Sequence, residues 1–335
     1  MSLGFLYMGV TRDIIVIGAS AGGVTALKKL TAKLPPNLDA SVFVVLHTGV
    51  HSPGLMDQIL TRAGDLPASY ATDGELIERG KIYIAPKDHH LLLDDGKIQV
   101  VRGPKENGHR PAIDTLFRSA AVHYSRRVVG VILTGHLNDG TSGLIAVKQA
   151  GGMAIVQDPE EAEVPDMPES ALRHVDVDRC LSLDDIPTYL GEITTTPILE
   201  GEAPLSIPET LKIESQIPTM STIGQNVTDQ LGKRSTLTCP ECNGTLWEMN
   251  DDKMLRFRCH TGHGFSAEAL ALAEDEAVEK ALWLALKTLE ESGSLALRMA
   301  AKAEEEEHPF RKQLLESRAK KASEQAAVLR KLLQH

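Results

Sequence analysis

Asp13-Ile14-Ile15-Val16-Ile17-Gly18-Ala19-Ser20-Ala21-Gly22-Gly23 decides how the rest of the chain is read. Asp13 to Gly18 is an apolar, β-branched run that stops at a glycine, the pattern of a parallel strand buried on both faces. Val24, Leu27, Leu30 and Leu34 then recur at helical spacing until Pro35 and Pro36 end the segment. Ser41 to Leu46 (SVFVVL) repeats the strand pattern, and Ser52 can cap a helix carrying Leu55, Met56, Ile59 and Leu60. Lys81 to Ala85 reads as a strand, Leu91 to Val101 as a hairpin turning at Asp94-Asp95-Gly96, and Pro111 to Tyr124 as a helix. Arg127 to Thr134 (RVVGVILT), a helix from about Thr141 to Ala150 and the strand Met153 to Gln157 continue the series. Such alternation predicts an α/β fold, a doubly wound and mostly parallel sheet with helices on both faces.

The whole chain has 335 residues, 42% hydrophobic and 24% charged, which gives a sizeable core and excludes a wholly disordered polymer. Asp and Glu number 46 against 35 Lys and Arg, a net charge of −11, so nucleic acid and anionic membrane surfaces are not expected partners. No apolar run approaches the roughly 20 residues that span a bilayer. Met1 to Val10 lacks the basic and apolar regions of a signal peptide and reads as a short ragged leader, so a soluble cytoplasmic protein without membrane insertion is expected. Four cysteines are too few for a disulfide framework, and three of them crowd together.

The organisation expected is an α/β domain over 11–192, a linker over 193–238, a Cys/His module over 239–264 and an α-helical hairpin over 265–335. The linker assignment rests on Pro197, Pro204, Pro208 and Pro218 amid Ser, Thr and Glu without sustained periodicity. The hairpin rests on Ala, Leu, Glu, Lys and Arg at helical period, with Trp283, Leu286, Leu289, Leu295 and Leu297 expected as its core.

The turn after the first strand admits two readings. A dinucleotide fingerprint requires glycine where Ser20 stands and an acidic residue about 20 positions later, and His47 ends the second strand instead. The same residues fit G-x-S-x-G, which seats a serine on a sharp strand-to-helix turn with the N–H groups of Ala21 and Gly22 able to face an oxyanion. A serine hydroxyl needs a base, and the base an orienting partner. His47, through Nε2, and Asp139 in Thr134-Gly135-His136-Leu137-Asn138-Asp139-Gly140 lie where strands end, so all three side chains would meet at the carboxyl edge of one sheet. Singly, each has a structural alternative: Ser20 and Asp139 as helix caps and His47 as a satisfied edge residue.

Residues 13–190 resemble the catalytic domain of the chemotaxis protein-glutamate methylesterases, the CheB family. The likeness is carried by I-G-A-S-x-G-G, the strand-ending histidine, A-P-x-x-x-H-L at Ala85 to Leu91, R-P-x-x-D-x-L-F at Arg110 to Phe117, L-T-G-x-x-x-D-G, and M-P-x-x-A at Met167 to Ala171. The resemblance implies Ser20 as nucleophile, His47 as base and Asp139 as its orienter. It implies hydrolysis of γ-glutamyl methyl esters on methylated chemoreceptors, glutamine deamidation as a related activity, and no cofactor for catalysis. Members often carry threonine where Ala21 stands and methionine where His136 stands, which makes His136 a candidate substrate contact. A first strand beginning by residue 13 leaves no expected room for the receiver domain that regulates the best-known members. A non-catalytic sensory or scaffold protein on the same fold is the alternative.

Cys239-Pro240-Glu241-Cys242-Asn243-Gly244 is a knuckle that points two thiolates at one ion, and Cys259-His260-Thr261-Gly262-His263 is its complement. Cys239, Cys242, Cys259 and His263 are the expected ligands of a structural zinc, with His260 as the other candidate for the fourth place. Leu246-Trp247 and Leu255 to Phe257 are the expected core around it. The helical tail is a candidate surface for a receptor, a partner helix or a second copy of the chain.

Overall fold

The computed structural model describes residues 10–48, 54–198, 206–221 and 223–334. The expected leader up to residue 9 and the expected cap at Ser52 lie outside them. The chain forms two compact units that divide between Leu270 and Ala271.

In chain order the first unit runs β1 (Ile14–Ala19), α1 (Gly23–Thr31), β2 (Ser41–Leu46), α2 (Met56–Ala63), β3 (Ala68–Tyr70), β4 (Ile82–Ile84), β5 (His90–Asp94), β6 (Lys97–Val101), α3 (Ile113–Tyr124), β7 (Val128–Ile132), α4 (Thr141–Gln149), β8 (Met153–Gln157), α5 (Asp166–His174), β9 (Arg179–Leu181) and α6 (Ile186–Thr195). Seven strands form one sheet in the order β3-β4-β2-β1-β7-β8-β9, and every pairing in it is parallel. Strand β1 sits at its centre with all six residues buried. Because successive side chains point to opposite faces, Ile14 and Val16 pack with α3 and α4, while Ile15 and Ile17 pack with α1 and α6. Each such fully buried aliphatic side chain contributes about 1.5–3 kcal/mol. The β5–β6 hairpin covers α3, with Ser119 Oγ accepting the Leu93 N–H at 3.0 Å.

The expected linker is folded over its described part. Helices α7 (Glu209–Gln216) and α8 (Gly224–Leu231) lead into β10 (Gly232–Thr238), followed by β11 (Thr245–Met249), β12 (Arg256–Cys259) and β13 (Gly264–Ser266). The last four strands make a second, antiparallel sheet in sequence order. What holds this stretch is widely spaced burial of Leu211, Ile217, Ile223 and Leu231, together with a buried ionic cluster that composition does not reveal. Glu214 accepts Arg256 Nη1 and Arg258 Nη2, each at 2.7 Å, and Arg258 Nη1 reaches Glu106 Oε1 at 3.0 Å. Arg118 completes the cluster on Glu106. Three arginines from two elements, α3 and β12, thus tie α7 and the small sheet to the loop before α3. A buried pair of this kind tolerates loss of one partner poorly. In the small sheet Leu246, Trp247 and Phe257 are buried, whereas Leu255 is exposed.

The second unit is a pair of helices, α9 (Ala267–Glu305, from Ala271 onward) and α10 (Pro309–Leu332). Its seam differs from the expected one. Leu286 is buried, but Trp283, Leu295 and Leu297 are more than half exposed, and Ala296, Ala300, Ala303, Ala319, Ala322 and Ala326 fill the contact with Leu315. Alanine lets two helix backbones approach closely, so the small residues face inward and several large ones stay outside. Among the described residues no helix is long and apolar enough to cross a membrane.

Candidate active site

The β1–β2 register puts Ser20 opposite His47. Ala19 pairs with Leu46, and the chain continues in step, since His47 N–H donates to Ala19 O at 3.1 Å. Both residues therefore emerge side by side from the carboxyl edge of neighbouring parallel strands, where ligands bind in open α/β sheets. Ser20 N–H donates to Thr134 O at 3.0 Å, which fastens the turn to the loop after β7. Gly22 has φ 76°, a left-handed conformation that bends the strand sharply into α1. Gly135 must lack a side chain, because a Cβ there would lie 2.6 Å from Ser20 Cβ and 2.2 Å from Met167 Sδ. Thr134 Oγ1 donates to Ala21 O at 2.9 Å, fixing the peptide groups that open the helix.

His47 and Asp139 meet through the buried contact His47 Nε2 to Asp139 Oδ2, 2.8 Å. A carboxylate only accepts, so Nε2 carries the proton in the neutral ring and Nδ1 carries the lone pair. His47 Nδ1 is buried without a partner. The ring atom left to serve as a base is thus Nδ1, not the expected Nε2. Asp139 also accepts the N–H of Ile113 at 2.7 Å on Oδ2, and on Oδ1 the N–H of Asp114 at 3.3 Å and Asn107 Nδ2 at 3.1 Å. Two of these donors are the first N–H groups of α3, whose dipole favours an anion there. Burial opposes the charge, but the hydrogen bond from His47, the two neighbouring imidazoles of His47 and His109, and the Ile113 N–H hold the Asp139 carboxyl well below the usual carboxylate range. Asp114 behaves oppositely. Burial and then the neighbouring Asp139 charge push it up to about 8, while its Oδ1 accepts the N–H groups of Gly140 and Gly143 at the start of α4.

His109 is the residue sequence reasoning missed. Its ring stacks on His47 with centroids 3.7 Å apart and planes 12° from parallel. Burial, reinforced by the adjacent His47, lowers its pKa to about 4, so it is neutral at pH 7. The available signal was its place immediately before Arg110-Pro111. His136 lies elsewhere, exposed at the loop tip with Nδ1 3.3 Å from Asp166 Oδ2. His90 and Arg110 hold turns. The His90 ring contacts Pro104 O at 2.8 Å and Thr115 Oγ1 at 3.2 Å, and Arg110 donates to Asp88 and to Gly103 O.

In the small sheet the side chains of Cys239, Cys242, Cys259 and His263 converge, their ligand atoms all within 4.8 Å of one another. Cys242 Sγ lies 3.7 Å from Cys259 Sγ, and His263 Nδ1 lies 3.7 Å from Cys239 Sγ and 3.6 Å from Cys259 Sγ. Zinc bond lengths give tetrahedral edges of about 3.8 Å between sulfurs and about 3.6 Å between sulfur and nitrogen, so the donor set fits that ion. The His260 ring packs over Gly244 instead, where a Cβ would lie 2.3 Å from its Cε1.

A family model described as CheB methylesterase matches residues 15–190. A relative from Leptospira interrogans, whose name carries both protein-glutamate methylesterase and protein-glutamine glutaminase, is 40% identical over 175 residues, 52% of this chain and 91% of its own. A protein-glutamate methylesterase/protein-glutamine glutaminase from Pyrococcus abyssi is 35% identical over 180 residues, and there the match spans 52% of this chain but only 49% of the relative. The crystal structure of the Thermotoga maritima CheB methylesterase catalytic domain superposes with a TM-score of 0.52 at 36% identity, covering 55% of this chain and 99% of that one.

Proposed function

The chain belongs to the CheB methylesterase family, and from that premise we propose that it hydrolyses methyl esters of glutamate side chains on methylated chemoreceptor-type proteins, with glutamine deamidation as a second activity. The observation that carries this reading is the buried, unpartnered Nδ1 of a histidine whose Nε2 is committed to Asp139, one strand across from Ser20. Ser20 Oγ attacks the ester carbonyl carbon while His47 Nδ1 takes its proton. The oxyanion forms against the N–H groups of Ala21 and Gly22 at the start of α1. Collapse of the tetrahedral species breaks the bond to methoxide, which leaves as methanol with the proton from His47. Water then repeats the sequence on the acyl-serine, releasing the glutamate carboxylate and restoring Ser20. With glutamine the first leaving group is ammonia. Asp139 stays ionised throughout and stabilises the imidazolium, and the neutral His109 ring closes one face of the pair against water.

Methanol release from a glutamate-methylated receptor fragment tests the assignment. Ser20→Ala is expected to lower kcat by a factor on the order of 10⁴ or more, and equal rates in variant and wild type would defeat it. We assign a structural zinc to Cys239, Cys242, Cys259 and His263 on the strength of the tetrahedral edge lengths. With four protein ligands it stabilises the module and leaves no open position for chemistry. The exposed Trp283, Leu295, Leu297 and Phe310 support a protein-binding role for the helical pair, and the proposed substrate class goes with a cytoplasmic enzyme.

A further inference from the structure

Asp139 is held from two directions, and only the amino terminus of α3 belongs wholly to the parallel-sheet domain. The second is Asn107, whose Nδ2 donates to Asp139 Oδ1 at 3.1 Å and to Asp114 Oδ2 at 3.2 Å. An amide in this orientation needs an anchor for its oxygen, because a flipped amide would set that oxygen against the ionised Asp139 carboxylate. The anchor comes from the small C-terminal sheet: the N–H of Ser266 on β13 donates to Asn107 Oδ1 at 2.8 Å. The same segment fixes the residue next to Asp139. Ser266 Oγ donates to Asn138 Oδ1 at 2.7 Å, and Asn138 Nδ2 donates to Glu268 Oε2 at 2.7 Å. Strand β13 also runs along the loop that carries both Asn107 and His109, with Asn107 N–H donating to Gly264 O at 2.8 Å and Gly264 N–H to Lys105 O at 3.2 Å. Ser266, Asn138, Asp114 and Asp139 are buried, whereas Asn107 is half-buried and Glu268 exposed, so it is on the Asn138 side that a misplaced amide leaves a buried polar group unpaired.

We infer that the C-terminal module is a working part of the hydrolytic site: Ser266 and Glu268 are positioning residues that set the Asn138 and Asn107 amides, and through them the Asp139 carboxylate and the His47 ring. This rests on the esterase reading of Ser20 and His47, and adds that the family-matched domain is incomplete without a segment the family match does not include, since that match ends at residue 190. The full chain carrying Ser266→Ala and Glu268→Ala strips Asn138 of both side-chain partners while the Ser266 N–H stays on Asn107, and it is expected to lose about 10- to 100-fold in kcat with KM within about twofold, the pattern of a misaimed base with substrate binding intact. Glu268→Gln keeps an acceptor for Asn138 Nδ2 and is expected to retain the wild-type rate.

A second readout does not depend on turnover. The proton shared by His47 Nε2 and Asp139 should give a low-field NMR signal in the wild-type chain that shifts and exchanges about tenfold faster in the double variant. An unchanged signal with unchanged kcat would overturn the inference. So would a loss of rate that only tracks a lowered melting midpoint and is as large in Glu268→Gln as in Glu268→Ala. A wild-type chain that releases no methanol would instead sink the esterase reading, and the His47 signal alone would then decide whether the module sets the pair.

Discussion

Asp139→Asn is the sharpest perturbation the geometry offers, because every lone pair of that carboxylate is spoken for. Oδ2 accepts His47 Nε2 and the Ile113 N–H, and Oδ1 accepts Asn107 Nδ2 and the Asp114 N–H. Asparagine supplies one oxygen and one NH₂, so one of these two pairs of donors must face a donor. If the oxygen turns toward His47, the NH₂ confronts Asn107, which cannot flip while Ser266 holds its oxygen. If the nitrogen turns toward His47, the ring must accept at Nε2, carry its proton on Nδ1, and present Ser20 with a donor where a base is needed. Either arrangement leaves at least one buried N–H unpaired, at about 1–3 kcal/mol. The second also disables the base, for which the loss in kcat is about 10⁴. Methanol release by the variant, measured beside its melting midpoint, checks both parts. A folded Asp139→Asn chain within tenfold of wild-type kcat and with an unchanged melting midpoint would refute the reasoning, since each arrangement requires a loss in at least one of the two.

Three further outcomes are expected. His109 is neutral in the fold but titrates near 6.5 when unfolded, so the unfolded chain binds more protons between those values and stability falls as pH drops from about 6.5 to about 4. Denaturant unfolding should lose up to about 3 kcal/mol over that window in the wild type and measurably less in His109→Phe, which keeps a stacked ring without the titration. Metal analysis of the purified chain should find one zinc per molecule, falling near zero in Cys242→Ser, and a chelator should lower the melting midpoint of the wild type. In the helical pair, Ala322→Leu should cost about 1–3 kcal/mol by overpacking a seam where Ala322 lies against Gly293, whereas Leu297→Ala, which removes an exposed side chain, should stay within about 0.5 kcal/mol.

What was legible in the sequence follows from where each constraint originates. Strands β1, β2, β7 and β8 are buried on nearly every residue, so their apolar runs announce them. Strands β3 (Ala68-Ser69-Tyr70) and β9 (Arg179-Cys180-Leu181) are three-residue edges, partly exposed, and nothing in their composition separates them from loop. Ser20, His47 and Asp139 could be named because the chemistry of each is local: a tight turn, a strand end, a glycine-flanked loop. Which ring nitrogen of His47 faces Asp139 could not, since it depends on where α3 places its first N–H groups. His109 and Asn107 were illegible for a related reason. Their loop is positioned by Glu106, whose partner Arg258 is 152 residues away, and by β13, so their surroundings are written in a segment that reads as a separate module. The misread stretch before that module has the same origin, because Glu214 looks like an ordinary solvated acid until three arginines from elsewhere surround it. Buried charge is costly unless paired, so its appearance on both sides of this junction means that the two segments fold against each other and not merely in succession.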